Sequence, residues 1–123
     1  MARILLVDDD ELLRKALSLT LEKMGHQVHE ARNGNEALLL FAAEPPDVVL
    51  TDIIMPEKEG LETILELKRL HPAVKIIAMS GGGRASNIDY LKIAKQMGVV
   101  RTLTKPFSPE AMAAAIAEVM AGG

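Results

Sequence analysis

Apolar runs punctuate the chain, and four of them end in a polar or charged residue. Ile4-Leu5-Leu6-Val7 leads into Asp8-Asp9-Asp10, and Val48-Val49-Leu50-Thr51 into Asp52. Ile76-Ile77-Ala78-Met79 leads into Ser80, and the segment from Val99 to Thr104 into Lys105-Pro106-Phe107. A shorter strand is expected over Gln27–Ala31. Between the runs the period changes. Leu13, Ala16, Leu17, Thr20, Leu21 and Met24 recur at helical spacing, with Gly25 as a left-handed stop. Asn33 is placed to cap a second helix with Glu36 three residues on, and Leu38, Leu39 and Phe41 are its expected buried side. Pro45-Pro46 ends that helix, and a strand over Asp47–Thr51 follows. Gly60 opens a third helix with Leu61, Ile64, Leu65 and Leu67 in pattern, running to His71-Pro72. A fourth helix passes through Leu91, Ala94 and Met97 and stops at Gly98; Ser108-Pro109 starts the last, with proline at its favoured first position.

Five strands alternating with five helices predict an α/β doubly wound fold. The strands are apolar throughout rather than at every second residue, as expected of a parallel sheet covered on both faces. The expected strand order is the flavodoxin-like 2-1-3-4-5. At 123 residues the chain has the length of one domain, and residues 1–123 are read as a single unit with no output domain.

Composition narrows the function. A net charge of −3 supplies no basic excess to neutralise phosphates, and one Tyr and two Phe give no stacking platform, so nucleic acid is not an expected partner. The absence of cysteine excludes disulfides and thiolate metal sites. No apolar stretch approaches the roughly 20 residues that cross a bilayer, and the first strand begins at Arg3, so no membrane association and a cytoplasmic location are expected.

In a parallel sheet the carboxyl ends of the strands share one edge, where ligands bind. Asp8, Asp9, Asp52, Ser80 and Lys105 should meet there. Crowded carboxylates need a compensating charge, and Mg²⁺, which takes oxygen ligands and phosphate, suits them. Asp9 is the expected direct ligand, Asp8 an indirect or water-mediated one, and Asp52 both ligand and phosphoryl acceptor. Lys105 and the Ser80 hydroxyl would stabilise the phosphoryl oxygens. Taken singly, each residue has an ordinary alternative: Asp10 as a helix cap, Asp52 as turn chemistry before proline, Lys105 as a solvated lysine, Ser80 as loop. It is their order on successive strands that carries the site.

These motifs, Val7-Asp8-Asp9-Asp10, Thr51-Asp52-Ile53-Ile54-Met55-Pro56, Met79-Ser80-Gly81 and Thr104-Lys105-Pro106-Phe107, resemble those of receiver domains in two-component response regulators. The likeness spans essentially the whole chain and is closest to the stand-alone, chemotaxis-regulator type. It implies that Asp52 takes a phosphoryl group from a histidine kinase or phosphotransfer protein. Asp8, Asp9, Asp52 and the Ile54 backbone carbonyl would hold Mg²⁺, and a cis Lys105–Pro106 peptide is expected. Output would pass to a downstream protein not yet identified, with the fourth helix, fifth strand and fifth helix offered as a face for that contact or for a homodimer. Met112, Ile116 and Met120 of the last helix could serve that face, but packing on the sheet is the stronger expectation.

The chain departs from the family pattern in three places. The position three before the lysine, commonly aromatic, is Thr102, and Tyr90 is a weaker substitute for that switch. Ile54 and Gly82, two beyond Asp52 and Ser80, offer no polar side chain to orient water, which predicts a long-lived phosphoryl group. The Gly81-Gly82-Gly83-Arg84 loop lacks the ending of a nucleotide-binding P-loop. His26, His29 and His71 show no metal-ligand spacing. Two alternatives stand beside the receiver reading. One is a phosphatase of the haloacid dehalogenase type, with Asp8 and Asp10 as its Asp-x-Asp pattern; the other is a phosphorylation-independent scaffold.

Overall fold

The computed structural model of the protein describes residues 2–53, 60–81 and 92–122. Ile54, Gly82, Gly83, Arg84, Tyr90 and Leu91, all named above, lie outside them. In chain order the elements are β1 (Arg3–Val7), α1 (Glu11–Lys23), β2 (Gln27–Ala31), α2 (Gly34–Ala43), β3 (Val48–Asp52), α3 (Gly60–Leu70) and β4 (Ile76–Gly81). A helical stretch at 92–96 (α4), β5 (Arg101–Lys105) and α5 (Pro109–Ala121) complete them. The five strands form one parallel sheet in the order β2-β1-β3-β4-β5. This is the expected flavodoxin-like arrangement.

Alternation along the strands divides the core into two layers. Leu5, Val7, Val49, Ile53, Ile76 and Ala78 meet Ala37 and Phe41 of α2, Ile64 and Leu67 of α3, and Ala94 of α4. On the other face Ile4, Leu6, Val48, Leu50, Ile77 and Met79 meet Leu21 of α1 and Met112, Ala115, Ile116 and Val119 of α5. Both faces of the sheet are covered by helices, which is why the central strands read as unbroken apolar runs. Burying each large side chain contributes about 1.5–3 kcal/mol, so the central strands are the least movable part of the fold.

The helix ends follow local chemistry. Asp10 caps α1, its carboxylate accepting from the Leu13 N–H at 3.1 Å. Asn33 caps α2 by accepting from Glu36 N–H at 2.9 Å, while Glu36 reaches back to accept from the Arg32 N–H at 2.8 Å. Ser108 caps α5 through the Ala111 N–H at 3.0 Å, with Pro109 in the first turn. Gly25 and Gly98 have φ of 94° and 96°, left-handed stops after α1 and α4.

Some expectations are corrected. Leu39 is 73% exposed; Phe41 is buried as expected and Leu38 partly so, with Gly34 and Ala37 completing the buried face of α2. Leu65 of α3 faces solvent as well. On α1, Leu21 is buried as expected, but Ala16 is exposed and Arg14 and Ser18, outside the expected pattern, are buried; Met24, the cap, is 37% exposed. Met112 and Ile116 pack on the sheet, as the stronger expectation had it, and only Met120 of the three is exposed. Strand limits move by a residue or two: β3 includes Asp52, β4 continues to Gly81, and β5 begins at Arg101.

Candidate functional site

Register sets the site. Val7 of β1 pairs with Thr51 of β3, so Asp8, the next residue, comes level with Asp52. Asp52 pairs with Met79 of β4, and Gly81 with Lys105 of β5. Carboxylate oxygens of Asp8, Asp9 and Asp52 all lie within 4.8 Å of one another. The Lys105 ammonium donates to Asp8 Oδ2 at 3.0 Å and to Asp52 Oδ2 at 3.4 Å. Asp8 is fully buried, Asp52 is 8% exposed, and Asp9 opens to solvent.

Asp8 is held at every polar group. Its N–H donates to Ala31 O at 3.1 Å, and its Oδ1 accepts from Asp10 N–H at 3.0 Å. Its carbonyl accepts from Arg14 Nη1 at 2.9 Å. Lys105 is largely covered: burial alone would lower its pKa, but the charges of Asp52 and Asp8 outweigh that and hold it above the ordinary lysine value. The ammonium is therefore locked in its charged form, suited to bind phosphoryl oxygens. Ser80 is fully buried on β4, one residue beyond the register partner of Asp52. The Lys105–Pro106 peptide is cis, as expected. Next to it, Leu13, Leu17, Pro106 and Phe107 line an apolar groove of about 430 Å³ that reaches Lys105.

Three carboxylates and one ammonium form an oxygen-rich, net negative cluster, the donor set that a hard divalent cation prefers. Asp8, Asp9 and Asp52 thus fit Mg²⁺ chemically. Thr102, in place of the usual aromatic, is half-buried on β5 opposite Ala78 of β4.

The sequence match to the response regulator receiver domain family covers residues 4–117. The chain belongs to that family. Among curated relatives of this receiver domain, the protein PilH of Pseudomonas aeruginosa is 36% identical over 99% of this chain and 100% of its own. The chemotaxis protein CheY of Thermotoga maritima is 36% identical over 95% of this chain and 96% of its own. A solved receiver domain from Clostridium thermocellum superposes with a TM-score of 0.91 at 28% identity, covering 99% of this chain and 96% of that one. Other relatives are longer: the receiver matches only 26% of the length of the transcriptional regulatory protein GlrR of Escherichia coli. Receiver domains bind Mg²⁺ at an acidic pocket and interact with histidine kinases and effectors, and in this chain Asp8, Asp9 and Asp52 form an acidic cluster. Among the described residues no helix is long and apolar enough to cross a membrane.

Two residues of the site escaped sequence reasoning. Arg14 sits among apolar helix positions and gave no signal, because its partner Glu30 lies on a different element, β2. Gly60 read only as a helix start. Its N–H donates to Ile53 O at 2.6 Å, and a Cβ there would collide with the backbone of Asp52 and Ile53. Only glycine allows α3 to begin so close to the Asp52–Ile53 backbone.

Proposed function

We propose that the protein is a phosphoryl-accepting signalling module in which Asp52 is the acceptor. A carboxylate oxygen of Asp52 bonds to phosphorus while the bond from phosphorus to the donor breaks, and the donor imidazole or acetate leaves with the electron pair. The product is an acyl phosphate on Asp52. Mg²⁺, held by Asp8, Asp9, Asp52 and the Ile54 carbonyl, would supply positive charge to the phosphoryl oxygens. Lys105 adds its locked positive charge on the adjacent side, and the Ser80 hydroxyl donates to the transferred group. The observation that carries this reading is the Lys105 ammonium bridging Asp8 and Asp52 at 3.0 and 3.4 Å in a net negative cluster.

The donor would be a histidine kinase or phosphotransfer protein, and the output a contact with a second protein. On the α4–β5 side Ile93 and Val100 are exposed for such a contact or for a homodimer, whereas Met120 of α5 shares a groove with Pro46 and Pro72. With Thr102 where an aromatic rotamer switch is usual, loop reordering around Ser80 would carry the change in surface. The phosphatase alternative is disfavoured on chemistry. Asp8 is fully buried with both carboxylate oxygens engaged, and the Asp10 carboxylate caps α1.

Phos-tag electrophoresis after incubation with acetyl phosphate tests the reading. A retarded band is expected with Mg²⁺ and not with EDTA, and Asp52→Ala should abolish it. A band formed equally by Asp52→Ala would place the acceptor elsewhere.

A further inference from the structure

Arg14 is a charged side chain buried where an apolar one would pack, and nothing in the phosphoryl chemistry uses it directly. Its side chain is 5% exposed. Nε donates to Glu30 Oε1 on β2 at 2.9 Å, and Nη1 donates to the Asp8 carbonyl at 2.9 Å. Glu11, one turn earlier on α1, lies 3.6 Å from Nη2. The planar guanidinium thus ties the Asp8–Asp9 peptide to a strand on the far side of β1, which a flexible ammonium cannot do with the same two-pronged geometry.

That peptide leads directly into Asp9, the exposed member of the acid cluster. Asp8 is pinned by its own contacts with Asp10 N–H and Lys105, whereas the orientation of the following residue depends on where the Asp8 carbonyl points. We propose that Arg14, held by Glu30, is a positioning residue that fixes the Asp8–Asp9 peptide and so sets the divalent-cation affinity of the acid cluster. The inference rests on the metal-binding reading above.

Glu30 has the properties the arrangement needs. Partial burial pushes its carboxyl up, but hydrogen bonds from Arg14 and Lys15 more than reverse this and keep it ionised below the usual carboxylate range. It also offsets the charge of Arg14, so a buried cation close to the cluster does not repel a second one. Electrostatics and geometry then predict opposite outcomes. If Arg14 acted only by its charge, removing it would tighten cation binding; if it acts by holding the peptide, disturbing it weakens binding.

The test is calorimetric titration of Mg²⁺ into the unphosphorylated protein, with wild type, Asp9→Asn, Arg14→Lys and Glu30→Ala compared. Arg14→Lys keeps the charge and loses the fork, and its Kd is expected to rise about tenfold, the lower end for partners that orient metal ligands. Glu30→Ala, on the edge strand, releases Arg14 without emptying its site, and a rise of about threefold is expected. Should Arg14→Lys fail to fold, Arg14→Gln decides in its place: weaker binding is expected if Arg14 holds the peptide, and tighter binding, from the lost positive charge alone, would overturn the inference. A purely structural role would lower the melting temperature in EDTA and leave Kd unchanged, which overturns the inference. If Asp9→Asn loses binding while the other two bind as wild type, the inference falls and the metal reading stands. If Asp9→Asn binds as wild type, both fall.

Discussion

At the amino edge of the sheet, charges are met one by one. Arg3 lies 3.6 Å from Glu44, its N–H donates to Asp47 at 2.8 Å, and the Ala2 N–H donates to His26 Nδ1 at 3.0 Å. At the carboxyl edge, Asp8, Asp9 and Asp52 crowd within 4.8 Å, and among the described residues Lys105 supplies the ammonium that bridges two of them. The same strands build both edges, so the fold does not require the imbalance. A carboxylate cluster left net negative is destabilising on its own, and in the proposed function a cation and a phosphoryl group would offset that imbalance. The amino edge is balanced structure; the carboxyl edge is chemistry.

The widest separation between the two edges should appear in phosphorylation. Asp52→Asn keeps the shape of the site and removes the nucleophile, so labelling from a phosphorylated kinase should fall to background, whereas Arg3→Ala should label at the wild-type rate. Next is Gly60→Ala, which forces a methyl group onto the backbone of Asp52 and Ile53. Urea denaturation should show a loss of about 3 kcal/mol or more, as overpacking at a rigid contact does. Lys105→Met leaves the acids unopposed. In EDTA the protein should lose about 2 kcal/mol, below the value for a fully buried pair because the lysine is partly exposed. Saturating Mg²⁺ should restore part of that loss, and a melting curve with and without the ion checks it.

Smaller effects belong to the amino edge. Burial and the nearby amino-terminal charge lower the pKa of His26 below its ordinary value. The unfolded chain then binds the proton more readily, so the contribution is fully present above about pH 6.5 and is lost as pH falls below it. Thermal melts between pH 8 and pH 5 should fall more steeply for wild type than for His26→Gln. Smallest of all, Arg3→Ala should change stability by less than about 1 kcal/mol, since both Arg3 and Glu44 are solvated.

The fold was legible because both faces of the sheet are covered: apolar runs such as Val48–Leu50 announce buried parallel strands without reference to partners. Capping was legible for the same reason, since Asp10, Asn33 and Ser108 act on atoms three residues away. Helix faces were less so. Leu39 fits an apolar stripe but lies outside the arc that Ala37 and Phe41 press on the sheet. Asp8, Asp9, Asp52 and Lys105 could be placed together from topology alone, because every strand delivers its last residue to one edge. Arg14 and Gly60 could not. Their meaning lies in Glu30 and in the Asp52–Ile53 backbone, contacts that exist only once the chain has folded.

The central claim is that the unbalanced edge carries a phosphoryl group on one particular carboxylate. The most direct measurement is tandem mass spectrometry of the protein phosphorylated with acetyl phosphate and Mg²⁺, then reduced with borohydride to mark the acyl phosphate. The account predicts that Asp52 alone is reduced to homoserine, with Asp8 and Asp9 unmodified. Reduction at Asp8, or no reduced residue in a protein that binds Mg²⁺ and is fully folded, would contradict it.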